Sequence, residues 1–465
     1  MSLYEKIAGY CEECSIFQFL EKNPCVIVGF SGGADSCVLL SFFVHLRKKI
    51  PELHIIAAHL NHLIRGDEAM RDESFCQSFC RKTGIELEVK RVDIPALSKE
   101  SGKGLEEAAR DERYAFFEFL SKKYGDALIS TAHNADDNLE TLLFNIARGS
   151  GTKGVAAISP VRDGKYIRPL LSCSSGEIRA FANEKGISFV VDSTNNSTDY
   201  TRNSIRHNII PKLREINPKV CDAALRLSRL AEEDCEYIEL EADKIIGGRT
   251  VLSRKELRDV HPALFSRVLR RMMRSKVQSV NNLSQKNVSD CRILVEGSEK
   301  GSISLPQGCT FVADCDEVYI LCNKDIPKKN DGARSERVLL EIGKITEFGD
   351  FFVFCGDAKD YISLVGKNVY NLSLHTRIDC DKIYGKLFVR CRLPGDKILM
   401  GKMNKKLKKL FCDKNVPVRL RNTLPVIEDE RGVLWVPMVG ERDDCKAGEK
   451  TQKFINIFVY ERDKI

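Results

Sequence analysis

No run of 18 or more apolar residues occurs in this 465-residue chain, so a membrane-spanning helix is not expected. The first twenty residues, MSLYEKIAGYCEECSIFQFL, lack a small-residue cleavage site and mix acids with apolar side chains. That argues against a secretory leader. No Gly-Lys pair has a glycine five positions before its own glycine, which excludes the Walker A loop. Only one C-x-x-C occurs, Cys11 to Cys14, so a zinc site built from two such pairs is not expected. Internal repeats and low-complexity tracts are absent as well. The single tryptophan, Trp435, is assigned to a core rather than to base stacking.

What is present is a soluble composition, 43% apolar and 30% charged, in a chain long enough for two to four domains. Eighteen cysteines are scattered singly through apolar segments. They read as reduced, buried thiols of a cytoplasmic protein, with Cys11/Cys14 and Cys76/Cys80 on helix faces. The net charge is +7 and unevenly placed. Lys386 to Arg421 holds twelve Lys or Arg against Asp396 and Asp413, a local +10, so the rest of the chain carries −3. A basic region of that density suits a polyanion such as RNA.

From residue 24 to about 195, short β-rich runs (CVIVGF, LHIIAAHL, IELEVKRVDI, DALISTAH, ISFVVDS) alternate with helical patterns. This predicts an α/β fold, a doubly wound parallel sheet covered on both faces. Ligands in such sheets sit at the carboxyl ends of the strands. The polar clusters SGGADS, HLNHLIRGD, TAHNADD and VDSTNNST all follow a predicted strand. Residues 1–212 form the first expected domain and 213–330 a mostly helical middle one. After the polar linker NKDIPKKNDGARSER, residues 337–465 form a small, β-rich, basic domain.

The turn Ser31-Gly32-Gly33-Ala34-Asp35-Ser36 links an apolar strand to a helix. Gly32 and Gly33 lack Cβ atoms, so their N–H groups can approach phosphate oxygens closely. The following helix points its positive end at the same place. Ser31 and Ser36 add hydroxyls. Asp35 repels phosphate unless Mg²⁺ lies between them. The turn resembles the S-G-G-x-D-S PP-loop of the N-type ATP pyrophosphatases, which cleave ATP between its α and β phosphates.

Other segments resemble the lysidine synthetase family within that superfamily. They are HLNHLIRGDEAMRDESF, GLEEAARDERYAFF, TAHNADDNLETLLFNIARGSGTKGVAAI, IRPLL, DSTNNSTDYTRNSIRHNIIPKL and the C-terminal RLPGDKILMGKMNKKLKKLFCDKNVPVRLRNTLPVI. Asn134 stands where the family commonly has a second histidine, and DSTN replaces D-P-S-N. The resemblance implies an ATP-dependent, Mg²⁺-assisted ligase. Its substrates would be free lysine and the isoleucine tRNA with a CAU anticodon. ATP adenylates the C2 oxygen of the wobble cytidine, and the lysine ε-amine then displaces AMP. Neither zinc nor an iron–sulfur cluster is expected, and a homodimer is implied by the family only.

On this reading Ser31 through Ser36 hold the pyrophosphate, with Asp35 on Mg²⁺. Asp137 and Glu140, three apart on one helix face, form an acidic pocket for the lysine ammonium. Read without the resemblance, they are an acidic first turn favoured by the helix dipole. Arg113 and His133, with Arg206 after them, are the implied positive partners of the adenylate and the leaving AMP. His59 and His62 cap a strand and line the nucleotide site, or ligate zinc together with His133. Arg202, Asn203 and Arg206 either tie the chain against the sheet or contact RNA or ATP. Lys405, Lys406, Lys408 and Lys409 lie among Leu407, Leu410 and Phe411 at helical spacing; with Arg419 and Arg421 they are the expected RNA face. A tRNA thiolase would need a sulfur-carrying cysteine pair or cluster downstream of the loop. A non-catalytic RNA-binding module would be expected to have lost its acidic positions. Neither fits Ser31, Asp35, Ser36, Asp137 and Glu140 with the cysteine pattern found.

Overall fold

The computed structural model describes residues 2–64, 66–190, 200–277, 280, 282–322, 337–372, 374–448 and 451–462. It forms two compact units, Met1–Tyr237 and Ile238–Ile465.

The first unit opens with two helices, α1 (Leu3–Glu13) and α2 (Ile16–Lys22). β1 (Cys25–Gly29), α3 (Ala34–Leu46), β2 (His54–Asn61), α4 (Asp67–Thr83) and β3 (Glu86–Arg91) then alternate. α5 (Ile94–Ser101), α6 (Leu105–Lys123), β4 (Leu128–Ser130) and α7 (Ala135–Ala147) follow. The sheet is closed by a hairpin of β5 (Val161–Arg162) and β6 (Tyr166–Ile167).

The six strands run in the order β3-β2-β1-β4-β6-β5. β1 pairs in parallel with β2 and with β4, β2 pairs in parallel with β3, and β4 with β6. Strand side chains alternate between faces. Val26 and Val28 accordingly join the core with Leu39 and Phe43, while Ile27 joins Phe116, Phe117 and Ile129 on the other face. Both faces are covered, which is why the central strands read as unbroken apolar runs. The chain leaves β1 toward β2 on one side and later returns through β4 on the other. The carboxyl ends of β1 and β4 therefore flank a crevice at the switch point of the sheet.

One strand expectation is corrected. Residues 187–190 of ISFVVDS form no strand, and 191–193, with most of the VDSTNNST cluster, lie outside the described residues. The Val190 N–H instead donates to the Gly32 carbonyl at 2.8 Å, so this backbone braces the glycine turn rather than a ladder. The sheet edge is filled by β5 and β6. Their signal was the Asp163-Gly164 pair, whose φ values of 55° and 62° make the left-handed turn that two-residue hairpins need.

The second unit carries separate apolar cores. One contains Leu252, Phe265, Met273, Phe311 and Val318, and another Val389, Phe411, Leu434, Trp435 and Ile457. Two longer helices form, Val220–Ile246, which begins in the first unit, and Pro262–Arg274. Gly301–Leu305, Cys309–Ala313 and Glu317–Cys322 pair antiparallel. Buried Arg254 donates to the carbonyls of Val295, Asp314, Leu294, Gly297 and Glu299, tying a helix end to this sheet. The predicted linker falls almost wholly outside the described residues. No helix among the described residues is long and apolar enough to cross a membrane.

Candidate active site

The glycine turn forms directly after β1. Gly32 has φ +84°, a left-handed conformation that a side chain strains, and a Cβ there would lie 3.2 Å from Phe75 and 3.3 Å from the Cys76 sulfur. Gly33 is the N-cap of α3, so the first turn of the helix aims its free N–H groups outward. The Ser36 hydroxyl donates to the Gly33 carbonyl at 3.0 Å and lies 3.2 Å from the Ser31 hydroxyl. Ser31, Gly33, Asp35 and Ser36 line a cavity of about 500 Å³ over the switch point.

His59, His62, Arg113 and His133 line that same cavity, which sequence reasoning had assigned to the nucleotide. His59 is buried, and its Nδ1 lies 2.9 Å from the Phe30 carbonyl and 3.4 Å from the Cys76 thiol, so it joins β2 to the chain leaving β1. The Arg113 guanidinium lies 3.5 Å from His62 Nε2. His133 Nδ1 lies 2.8 Å from the Thr131 hydroxyl. Burial, aided by the positive field of Arg168, Arg110, Arg113 and Arg162, pushes the His133 imidazole down to about 3. It is therefore neutral at pH 7, a hydrogen-bonding ring rather than a cation.

α7 begins at the end of the loop after β4. Asn134, standing where the family commonly has histidine, is its N-cap and accepts from the N–H groups of Asp136 and Asp137. The Asp137 carboxylate returns the bond to the Asn134 N–H at 3.0 Å. Asp136, in contrast, accepts from Ser175 N at 2.8 Å and pairs with Arg214, so it fastens neighbouring segments. Burial raises the Asp35 carboxyl, against Arg179 and a hydrogen bond from Asn134, with Asp136 adding to the rise. Burial also raises Asp137, to about 6, and the charge of Asp35 adds to it against the Asn134 bond and Arg206. The phosphate turn and the acidic face of α7 thus feel each other directly.

Arg206 joins Glu140 at 2.6 Å and Asp137 at 3.6 Å, so a guanidinium sits across the acidic pair. Arg202 pairs with Glu106 at 3.2 Å and lies over the Phe144 ring. Asn203 lies half-buried beside it in the short helix Tyr200–Ser204.

In the second unit, Lys405 and Lys406 end the strand Met403–Lys406, and the helix starts only at Leu407. The single helical face expected over these residues is therefore divided. Strand pairing with Lys397–Met400 takes the first two lysines. All four lysines are exposed, while Leu407, Leu410 and Phe411 are buried. Arg419 pairs with Glu317 at 3.2 Å and Glu461 at 3.5 Å, and Arg421 donates to the Val416 carbonyl at 2.9 Å. Both arginines are thus engaged in holding the unit together.

Two features escaped the sequence reading. Buried Glu73 accepts from Asn61 at 2.9 Å and binds Arg91 at 2.7 Å, fixing the loop after β2 on the cavity rim. Arg110 and Tyr114 share the cavity wall with Arg113; their signal was the i, i+3, i+4 spacing on one face of α6.

Residues 6–213 match the model of the PP-loop domain, and residues 387–457 that of the TilS substrate C-terminal domain. A tRNA(Ile)-lysidine synthase of Clostridium tetani is 31% identical over 451 residues, covering 95% of each chain. The chain belongs to the tRNA(Ile)-lysidine synthase family. A tRNA(Ile)-lysidine synthase of Thermotoga sp. strain RQ2 is 33% identical over 91% of this chain and 93% of its own. Among solved structures, the U34-tRNA thiolase NcsA from Methanococcus maripaludis with its [4Fe-4S] cluster aligns with TM-score 0.40 and 22% identity, over 48% of this chain and 80% of that one. As a member of this family the chain is an ATP-dependent ligase of the PP-loop superfamily.

Proposed function

We propose that this lysidine synthase uses free lysine as the amine, recognised by Asp137 and Glu140, on a wobble cytidine adenylated in the cavity above β1 and β4. The observation that carries this reading is the side-by-side placement of the phosphate turn and the acidic face of α7, with a cation already bridging Glu140 and Asp137. A lysine ammonium has the same charge and needs the same acceptors. With Asp137 raised to about 6, its carboxylate is a stronger base than an ordinary aspartate and serves as the proton acceptor for the lysine amine. The amine then attacks C2 and AMP leaves. In this reading Ser31, Gly32, Gly33, Ala34 and Ser36 cradle the pyrophosphate, and Arg113 offsets charge on the adenylate. His133 contributes as a neutral hydrogen-bonding ring.

Mg²⁺ fits the donor chemistry of the turn. Asp35 offers a hard oxygen whose negative charge is disfavoured by burial and by Asp136, so a cation beside it is welcome. Mg²⁺ would be held by Asp35 and the phosphates of the nucleotide and would offset their charge. The reading keeps the division of the chain at 1–212, 213–330 and 337–465, with Lys405, Lys406, Lys408 and Lys409 on tRNA phosphates. It also includes a cytoplasmic location, no zinc and no iron–sulfur cluster, and a homodimer of the 52.5 kDa chain. Metal analysis and sedimentation of the purified protein test the last points.

The decisive experiment mixes the protein, Mg-ATP and labelled lysine with unmodified isoleucine tRNA bearing CAU, then digests the RNA for mass spectrometry. A lysine-bearing cytidine, lost with Asp35→Ala and with Asp137→Asn, supports the reading. Labelled product from Asp137→Asn at the wild-type lysine KM refutes the lysine assignment.

A further inference from the structure

Around Tyr114, which lines the cavity, gathers positive charge that, Arg113 apart, the reaction described above does not use. Arg110 and Arg113, nearly one turn apart on α6, both line the cavity. The Tyr114 ring holds two guanidiniums, those of Arg110 and Arg162, each 5.1 Å from its centroid. Arg162 also lies 4.1 Å from the Tyr166 ring. The Tyr114 hydroxyl also acts electrostatically on a third, Arg168. Arg168 is only 4% exposed. It donates to the Ser159 carbonyl, but its Nε has no hydrogen-bond partner. The Nε of Arg162 is likewise buried without one; among the described residues the carboxylate that faces it, at 3.4 Å, is the well-exposed Asp163. Among the described residues no carboxylate forms an ion pair with Arg110, Arg113 or Arg168.

Guanidiniums gathered around one aromatic ring, with the buried Nε of Arg162 and of Arg168 lacking a hydrogen bond, carry a desolvation cost that the few nearby carboxylates offset only in part. Aromatic stacking fixes their orientation but does not neutralise them. The arrangement is balanced when an anion with several acceptor oxygens enters, and a guanidinium fork matches phosphate bidentately.

We infer that Arg110, Arg162 and Arg168, arranged around Tyr114 and continuous with Arg113, form a phosphate-binding subsite on the β4–β6 side of the nucleotide cavity. The inference rests on the lysidine synthase reading for the identity of the phosphates. Two sources share this chemistry: a phosphate of ATP, or a phosphodiester of the RNA next to the reacting cytidine. In either case Arg110, Arg162 and Arg168 are positioning residues that hold one substrate by its phosphate while C2 reacts.

The test uses the full-length wild-type chain and Arg110→Gln, Arg162→Gln and Arg168→Gln. Arg162 is partly exposed, so its variant remains informative if Arg168→Gln fails to fold, which thermal unfolding reports. Two equilibrium affinities are read for each protein. One is for a non-hydrolysable ATP analogue with Mg²⁺ and no RNA; the other is for unmodified CAU isoleucine tRNA with no nucleotide. Loss of one charged hydrogen bond lowers the affected affinity by about tenfold or more. A loss confined to the analogue assigns the subsite to ATP. A loss confined to the tRNA, with a salt slope shallower by about one, assigns it to the RNA backbone. Folded Arg110→Gln and Arg162→Gln that keep both affinities within twofold of wild type overturn the inference. Lysidine formation by wild type is scored separately. Its failure would count against the reaction, while the two binding affinities would still report on the phosphate site.

Discussion

Asp137→Asn is expected to make the protein more stable and inactive at once. Its carboxyl is raised from 3.8 to about 6 by burial first and by the neighbouring Asp35 charge second. A carboxyl raised in the folded state destabilises the fold once it is ionised. The penalty is absent below about pH 4, develops as pH rises toward 6, and is complete above that. Roughly two pKa units correspond to about 3 kcal/mol. The side chain is 30% exposed, so solvent screens part of this and about 1–2 kcal/mol remains. The amide keeps the helix cap, because its oxygen still accepts from the Asn134 N–H now bonded at 3.0 Å. Arg206 keeps Glu140 at 2.6 Å. Urea unfolding of both proteins at pH 4 and pH 7.5 measures the difference. The variant should be nearly as stable as wild type at pH 4 and more stable by about 1–2 kcal/mol at pH 7.5. Lysine-dependent AMP release should be lost. A variant less stable than wild type at pH 7.5, or a difference independent of pH, would refute the electrostatic reasoning.

Four further outcomes follow from the geometry. Gly32→Ala forces a Cβ onto a φ of +84°, 3.2 Å from Phe75, and should cost about 1–2 kcal/mol while raising the KM for ATP. Gly33→Ala meets only the Ser31 hydroxyl, at 3.6 Å, so its melting temperature should stay closer to wild type. Replacing buried Arg254 by Met strips five backbone carbonyls of their donor and should destabilise the second unit by roughly 3–5 kcal/mol in denaturant titrations. Changing Lys405, Lys406, Lys408 and Lys409 together to Gln should flatten the salt dependence of tRNA binding by up to about four log units per log of salt, leaving ATP affinity unchanged. An unaltered slope would remove these lysines from the RNA face.

The conformation of the glycine turn was legible in the sequence because every requirement is local. An apolar strand, two glycines and a helix start lie within fifteen residues, and short-range sterics impose the conformation. The parallel sheet was legible for a similar reason, since β1, β2 and β4 are apolar on both faces. The acidic face of α7 also followed from helical spacing alone. What the sequence did not reveal depended on partners far apart in the chain. Residues 187–190 have strand composition, yet their backbone braces Gly32, while a hairpin from 161–167 takes the sheet edge. Arg419 looks like an RNA contact until Glu317 and Glu461 are brought beside it. His133 reads as a positive partner until burial among arginines makes it neutral. Residue type and spacing determined which chemistry this chain is equipped for. Packing decided which charges remain available to substrates, because desolvation and neutralisation depend on neighbours that only the folded chain assembles.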